Sequence, residues 1–232
     1  ELLLVDQGSR QIYTDALRDR ILALGTPEHP LVAVTGLGSS FPGTEAMAAA
    51  LAERGIPTVG AVTSSTSLSA DRQSTFHSVS PDNQDYVEAL RHLLDTRGDA
   101  LSLRRGLLIA DQNEDPYTRT LTSAFQEKMK DYLFMTAPLV YHGSTVDTPV
   151  TANVFASIRD NICDAVNGSE LDMVFFAGRV ADFPVFAESL SKRVCPEKPL
   201  TVMVGATGFH AAATQADVLD AANVTVIYAS SA

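Results

Sequence analysis

Short apolar runs rich in Val, Ile and Leu recur along the chain, separated by amphipathic segments, and this alternation restricts the fold more than any other feature. The runs are 2–5, 31–34, 56–62, 75–79, 106–110, 135–141, 172–178, 199–205 and 224–229. Runs this short and this continuous suit strands buried on both faces, as in parallel sheets covered by helices. The intervening segments carry helical spacing. Ile12, Leu17, Ile21 and Leu24 share a face in 10–24, and Met47 and Leu51 do so in 44–54. Val87, Leu90 and Leu94 line 83–96, while Leu121, Phe125 and Met129 follow at i+4 steps in 117–130. Segments 151–166 and 182–193 repeat the pattern. Strands alternating with helices in this way predict βαβ units and an α/β fold of doubly wound parallel sheets.

So many strands would make one sheet large, and the stretch 76–90, "FHSVSPDNQDYVEAL", offers a joint. A strand ends there, Pro81 stiffens the turn, and Asp82 or Asn83 can cap a new helix. Each half of the chain then holds about four strand–helix steps. The expectation is two α/β lobes rather than one.

Charge narrows the partners. The 232 residues carry a formal charge of −11, which disfavours nucleic acid, because a binder of phosphates needs a basic face. No apolar run approaches the roughly 20 residues of a membrane-spanning helix, so no direct membrane insertion is expected of this segment. Residue 1 is a glutamate heading a strand-like run, which reads as a mature or trimmed chain without a signal peptide. Cys163 and Cys195 do not make a disulfide framework; they can form one bridge or stand as two buried thiols.

The chemistry-bearing stretch is "LVAVTGLGSSFPGTEAMAAALAERGIPTVGAVTSST", residues 31–66. Each strand in it ends in a hydroxyl-rich turn, with Ser39 and Ser40 in the first and Ser64 and Ser65 in the second. Ligands of open α/β sheets sit beyond the carboxyl ends of strands. Glycines from Gly36 to Gly43 let backbone N–H groups approach a ligand, and the following helix N-terminus favours an anionic group. The plainer use of such serines is to cap helices and satisfy turn backbone. His29, His77, His92, His142 and His210 show no metal-ligand spacing, and neither a GxSxG elbow nor a GxxxxGK[ST] loop occurs. No catalysis, cofactor or metal is expected. An enzyme alternative remains in "TGLGSS", which is similar to the phosphate-holding turns of sugar-phosphate isomerase domains; its acidic candidates, Glu45 and Glu53, fall within a helix.

In their order along the chain, these segments resemble the type I periplasmic binding protein fold, in particular the branched-chain amino acid (Leu/Ile/Val) receptor family of ABC transporters. "VAVTGLGSSFPGTEAMAAALAERGIPTVGAVTSSTSLS" is similar to the family's strand, serine-bearing turn, helix, "GIPV" strand and hydroxyl-rich loop. "GLLIADQNEDPYTRTLTSAFQEKM" is similar to its strand followed by "D…YGRGL…AF", and "DMVFFAGRVADFPVFAESL" and "PLTVMVGATGF" to its later glycine turns. The resemblance implies lobe one at 1–79, lacking the family's first strand, lobe two at 80–223, and a crossover strand at 224–232 returning to lobe one. It implies an extracytoplasmic solute-binding or sensor domain, not an enzyme, which captures a small polar ligand between the lobes by hinge closure. Its partners would be that ligand and an ABC permease or a fused signalling domain.

The resemblance also implies site residues. Ser40 aligns with the family's ligand-contacting serine, and Ser64, with the backbone near Val62, aligns with its second contact loop. Tyr117, read as part of lobe two, aligns with the "YG" tyrosine as an aromatic wall. Arg179 stands at a strand's carboxyl end, where it can grip a carboxylate or phosphate, or pair with nearby Asp182. Thr207 occupies the turn where the amino acid receptors place an acid for the ligand's α-ammonium. That departure implies a neutral or anionic small molecule instead of an α-amino acid.

Overall fold

A computed structural model describes residues 13–37, 40, 43–60, 64–68, 75–113, 115–145, 147–168, 170–192, 199–205 and 216–229. The chain divides into two units, one of Glu1–Asp82 with Glu114–Tyr117, the other of Asn83–Asn113 with Thr118–Ala232.

In the first unit, three parallel strands lie in the order β1 (Val34–Leu37), β2 (Thr58–Gly60), β3 (Phe76–Ser78). The apolar run at 31–34 predicts a strand three residues too early. Val32 is 76% exposed, and pairing begins only at Val34, opposite Thr58, with an irregularity between Thr35 and Leu37. Gly36 takes φ +90° inside that irregularity, a conformation L side chains rarely adopt. Helix α1 (Asp15–Leu22) starts at Thr14, whose hydroxyl accepts from Leu17 N at 3.2 Å. Helix α2 (Thr44–Glu53) starts at Gly43, with φ +83° and no side-chain cap. A Cβ at Gly43 would run into the Tyr13 carbonyl, so glycine is required there on two grounds. Leu17, Ile21, Met47, Leu51, Leu68 and Phe76 form this unit's core. The expected strand at 2–5 lies outside the described residues.

The second unit is a five-stranded parallel sheet in the order β5 (Leu139–Tyr141), β4 (Gly106–Asp111), β6 (Met173–Ala177), β7 (Leu200–Val204), β8 (Val224–Tyr228). Every residue of β4, β6 and β7 is buried, which explains why those runs carry no polar alternation, while the edge strands β5 and β8 are partly exposed. Successive residues face opposite sides. Leu107, Ile109, Val174, Phe176 and Val202 join one core with α5 (Ala156–Asn167), α6 (Phe183–Ser191) and α7 (Ala216–Ala221). On the other side Phe175 stacks on Phe125 of α4 (Pro116–Lys128) at 5.3 Å between ring centres. Helix α3 (Asn83–Leu101) is tied to α4 by Asn83, whose Nδ2 donates to Thr120 Oγ1 at 2.8 Å. Asn83, one of the two residues expected as caps, thus also reaches across to a neighbouring helix.

The sequence reading sends 224–232 back to the first lobe. Instead Val224–Tyr228 pairs with β7 at five consecutive positions, from Leu200↔Val224 to Val204↔Tyr228. Its Val224 and Val226 pack on the second unit's core, which gives the strand an apolar reason to stay. Cys163, fully buried on α5, is disulfide-bonded, and Cys195, the chain's only other cysteine, lies outside the described residues.

Candidate functional site

In the first unit the two serine turns follow neighbouring parallel strands, so both emerge at carboxyl ends of the sheet. Ser40, Ser64 and Ser65 are 1%, 4% and 3% exposed. Ser65 links them. Its N–H donates to Ser40 Oγ at 3.1 Å, across 25 residues of chain, and its hydroxyl donates to the Pro116 carbonyl at 2.9 Å. The Pro116 carbonyl can only accept, so the Ser65 proton goes there; the 2.7 Å contact between Ser65 Oγ and Ser67 Oγ therefore has Ser67 as its donor.

This corner also holds Tyr117, 4% exposed and next to Pro116. The sequence reading puts Tyr117 in lobe two. It groups with the first unit instead, because the Glu114–Tyr117 segment does, with Ser65 bonded to Pro116. Ser40, Ser64 and Tyr117 are thus gathered in one unit, and the residue that gathers them is Ser65, which sequence reasoning leaves as ordinary turn chemistry. No motif marks it. Only its position beside Ser64 could have drawn attention.

Arg179 belongs to the second unit, half-buried just past β6. The sheet order places β4 between β5 and β6, so the strand order reverses there, and in such sheets ligand groups sit at that reversal. Two buried carboxylates occupy it. Asp111, the last residue of β4, accepts from Gly143 N and Asn113 N, both at 2.9 Å. Asp182, at the start of α6, accepts from Ser144 N at 3.1 Å and from the Tyr141 hydroxyl at 3.2 Å. The Asn113 amide donates to Gly143 O at 3.0 Å and closes the arrangement.

An aspartate at the start of a helix ordinarily caps it; the Asp182 side chain makes no cap bond and holds the loop after β5 instead. Its carboxylate accepts from Ser144 N and from the Tyr141 hydroxyl. Asp182 N donates to Arg179 O at 3.0 Å. Glycine is required at both surrounding turns. A Cβ at Gly143 would come closer than 3.0 Å to Asp111 Oδ2 and Asp182 Oδ2, and one at Gly178 would meet the Tyr141 hydroxyl.

Val62 and Thr207 lie outside the described residues. Among the described residues no group of three or more His, Cys, Asp or Glu side chains could hold a metal ion, and no helix is long and apolar enough to cross a membrane.

Comparison with known proteins gives the fold. No protein-family model matches the chain, and no curated protein matches it by sequence. Among solved structures, it is similar to an ABC transporter substrate-binding protein from Desulfitobacterium hafniense, with a TM-score of 0.60 and 15% identity. That match covers 89% of this chain and 55% of the other. A second, an ABC transporter substrate-binding protein from the same organism in complex with Leu, has a TM-score of 0.58 and 16% identity, over 90% of this chain and 54% of that one. The chain therefore spans a little over half the length of these relatives. Parallel α/β sheets flanked by helices, in a periplasmic-binding-protein-like fold, are common to all three.

Proposed function

We propose that this chain forms part of an extracytoplasmic solute-binding or sensor protein, which captures a small polar ligand between two lobes by hinge closure. The observation that carries the reading is the likeness to substrate-binding proteins over nine-tenths of the chain. The disulfide at Cys163 supports placement outside the cytoplasm, where thiols are not kept reduced. The ligand-facing groups are Ser64, Val62 and Tyr117 with Arg179 and Thr207, and Ser40 is the remaining candidate. The captured ligand is passed to an ABC permease or relayed to a fused signalling domain. The binding step is non-catalytic and uses no cofactor.

The test is a thermal-shift screen of the chain against the twenty L-amino acids, C2–C6 carboxylates and hexose phosphates, followed by small-angle scattering. A ligand at 100 times its Kd adds about 2.7 kcal/mol, or roughly 5 °C for a protein of this size. A carboxylate or neutral compound is expected to give that shift and to reduce the radius of gyration. Leu, Ile and Val are expected to give none, because the turn at Thr207 offers no acid to an α-ammonium. Micromolar affinity for any of the three overturns the ligand class; silence across the whole panel counts against binding of any of its classes.

A further inference from the structure

We propose that Tyr141 is a positioning residue for Arg179: its buried phenol seats the turn at 178–182, and so sets where the guanidinium meets an oxyanion of the ligand. This rests on the solute-binding reading and deepens it, by naming what aims the second unit's cation.

Arg179 stands where β6 gives way to α6, at the carboxyl end of the sheet. Its turn is closed by Asp182 N, which donates to Arg179 O at 3.0 Å, and Asp182 O then accepts from Phe186 N to open α6. Those bonds shape the turn; Tyr141 seats it. A Cβ at Gly178 would meet the Tyr141 hydroxyl, so the glycine backbone lies directly against the phenol. The same hydroxyl donates to Asp182 Oδ2 at 3.2 Å. One oxygen atom thus touches the backbone just before Arg179 and bonds the carboxylate three residues after it.

The phenol is itself held. Tyr141 ends β5 opposite Asp111 of β4, and its carbonyl accepts from Gln112 N at 2.8 Å. Its ring is 3% exposed and packs on those of Phe155 and Phe176, with centres at 4.7 and 5.9 Å. The Asp182 carboxylate is fixed from a second side by Ser144 N at 3.1 Å. The sheet therefore sets the phenol, and the phenol sets the turn. A guanidinium grips an oxyanion through two parallel N–H bonds, a geometry that tolerates little displacement of the backbone carrying it. Binding groups keep such geometry only when packed and hydrogen-bonded neighbours support them.

Tyr141→Phe keeps the ring and deletes the bond. Ile162→Val, in the same core, controls for lost stability alone. Three readouts serve both variants: amide exchange at Asp182, the heteronuclear NOE of Arg179 Nε, and thermal-shift affinity for the compound that wild type binds. The panel is the same amino acids, carboxylates and hexose phosphates, each of which carries an oxyanion. Tyr141→Phe should speed Asp182 exchange about tenfold, as loss of a bond to a charged acceptor implies, lower the Nε NOE, and weaken binding about tenfold. Ile162→Val should lower the melting temperature by a few degrees and leave exchange and affinity within about twofold of wild type. Equal changes in the two variants overturn the proposal, because the phenol would then matter only to stability. Wild-type exchange or wild-type affinity in Tyr141→Phe overturns it as well. If wild type binds no panel compound, the ligand half falls with the solute-binding reading for those classes. Exchange and the NOE would still decide whether Tyr141 holds the Arg179 turn.

Discussion

Replacing Gly143 by alanine tests the buried carboxylate pair most directly. The backbone there is not in the left-handed region, so conformational preference does not oppose a side chain; the obstacle is contact. The new Cβ would lie closer than 3.0 Å to the Oδ2 atoms of both Asp111 and Asp182. Neither can yield freely. Asp111 holds Gly143 N and Asn113 N, and Asp182 holds Ser144 N and the Tyr141 hydroxyl. Overpacking costs about 1–3 kcal/mol, and each hydrogen bond to a charged acceptor forfeited in the adjustment adds about 1.5–3 kcal/mol. Displacing one carboxylate therefore costs about 3–4 kcal/mol. For a unit of about 145 residues, with unfolding entropy near 2.1 cal/mol/K per residue, that lowers the melting temperature by roughly 10 °C. Calorimetry of Gly143→Ala measures it. Gly168→Ala is the control, because its nearest neighbour lies at 3.4 Å and its backbone is right-handed helical, so its melting temperature should stay within about 2 °C of wild type. A double-mutant cycle with Asp182→Ala should show coupling of at least about 1 kcal/mol, since the second change removes one of the two clashing groups. A Gly143→Ala protein that melts with wild type, or zero coupling, would refute the packing argument.

Two further outcomes concern parts of the chain away from the serine corner. Reducing the bridge at Cys163 should destabilise the second unit by about 3–4 kcal/mol, the chain-entropy value for a loop of about 33 residues closed onto Cys195. Peptide mapping without reductant should recover 163 and 195 cross-linked; separate thiol peptides would sink this. On the outer face of α3, the Tyr132 hydroxyl donates to Asp95 at 2.7 Å and, with Arg91, holds that carboxyl below its ordinary 3.8. A lowered carboxyl pKa contributes stability above its unfolded value that is lost as pH falls through the folded one, so the contribution disappears in acid, below about pH 4. Tyr132→Phe should raise the Asp95 titration midpoint, followed by carbonyl-carbon NMR; an unmoved midpoint would assign the shift to Arg91 alone.

Elements were legible in the sequence where burial was complete and opaque where it was partial. β4, β6 and β7 are apolar at almost every position because helices cover both faces of the sheet, so their runs stand out. Val32 looks equally apolar yet is exposed, and no local pattern separates it from Val34, which pairs. The final strand misled for a related reason: composition identifies a strand but not its neighbour, and the choice of β7 is made by Val224 and Val226 packing on a core assembled from residues far away.

The site was legible to the level of the turn, not the residue. Serines after consecutive strands mark the corner, because strand ends are where an α/β sheet exposes backbone. Which serine is used internally depends on partners that sequence spacing does not encode: Ser40 lies 25 residues from the N–H it receives, and Pro116 lies 51 residues from the hydroxyl it accepts. The same holds for Asp182. Three residues after Arg179, it looks like that arginine's partner; the sheet order also brings it the loop after β5, with an amide and a phenol that suit a buried carboxylate. Donors delivered by topology satisfy this buried carboxylate, because leaving it unsatisfied would cost far more than an ion pair near the surface contributes.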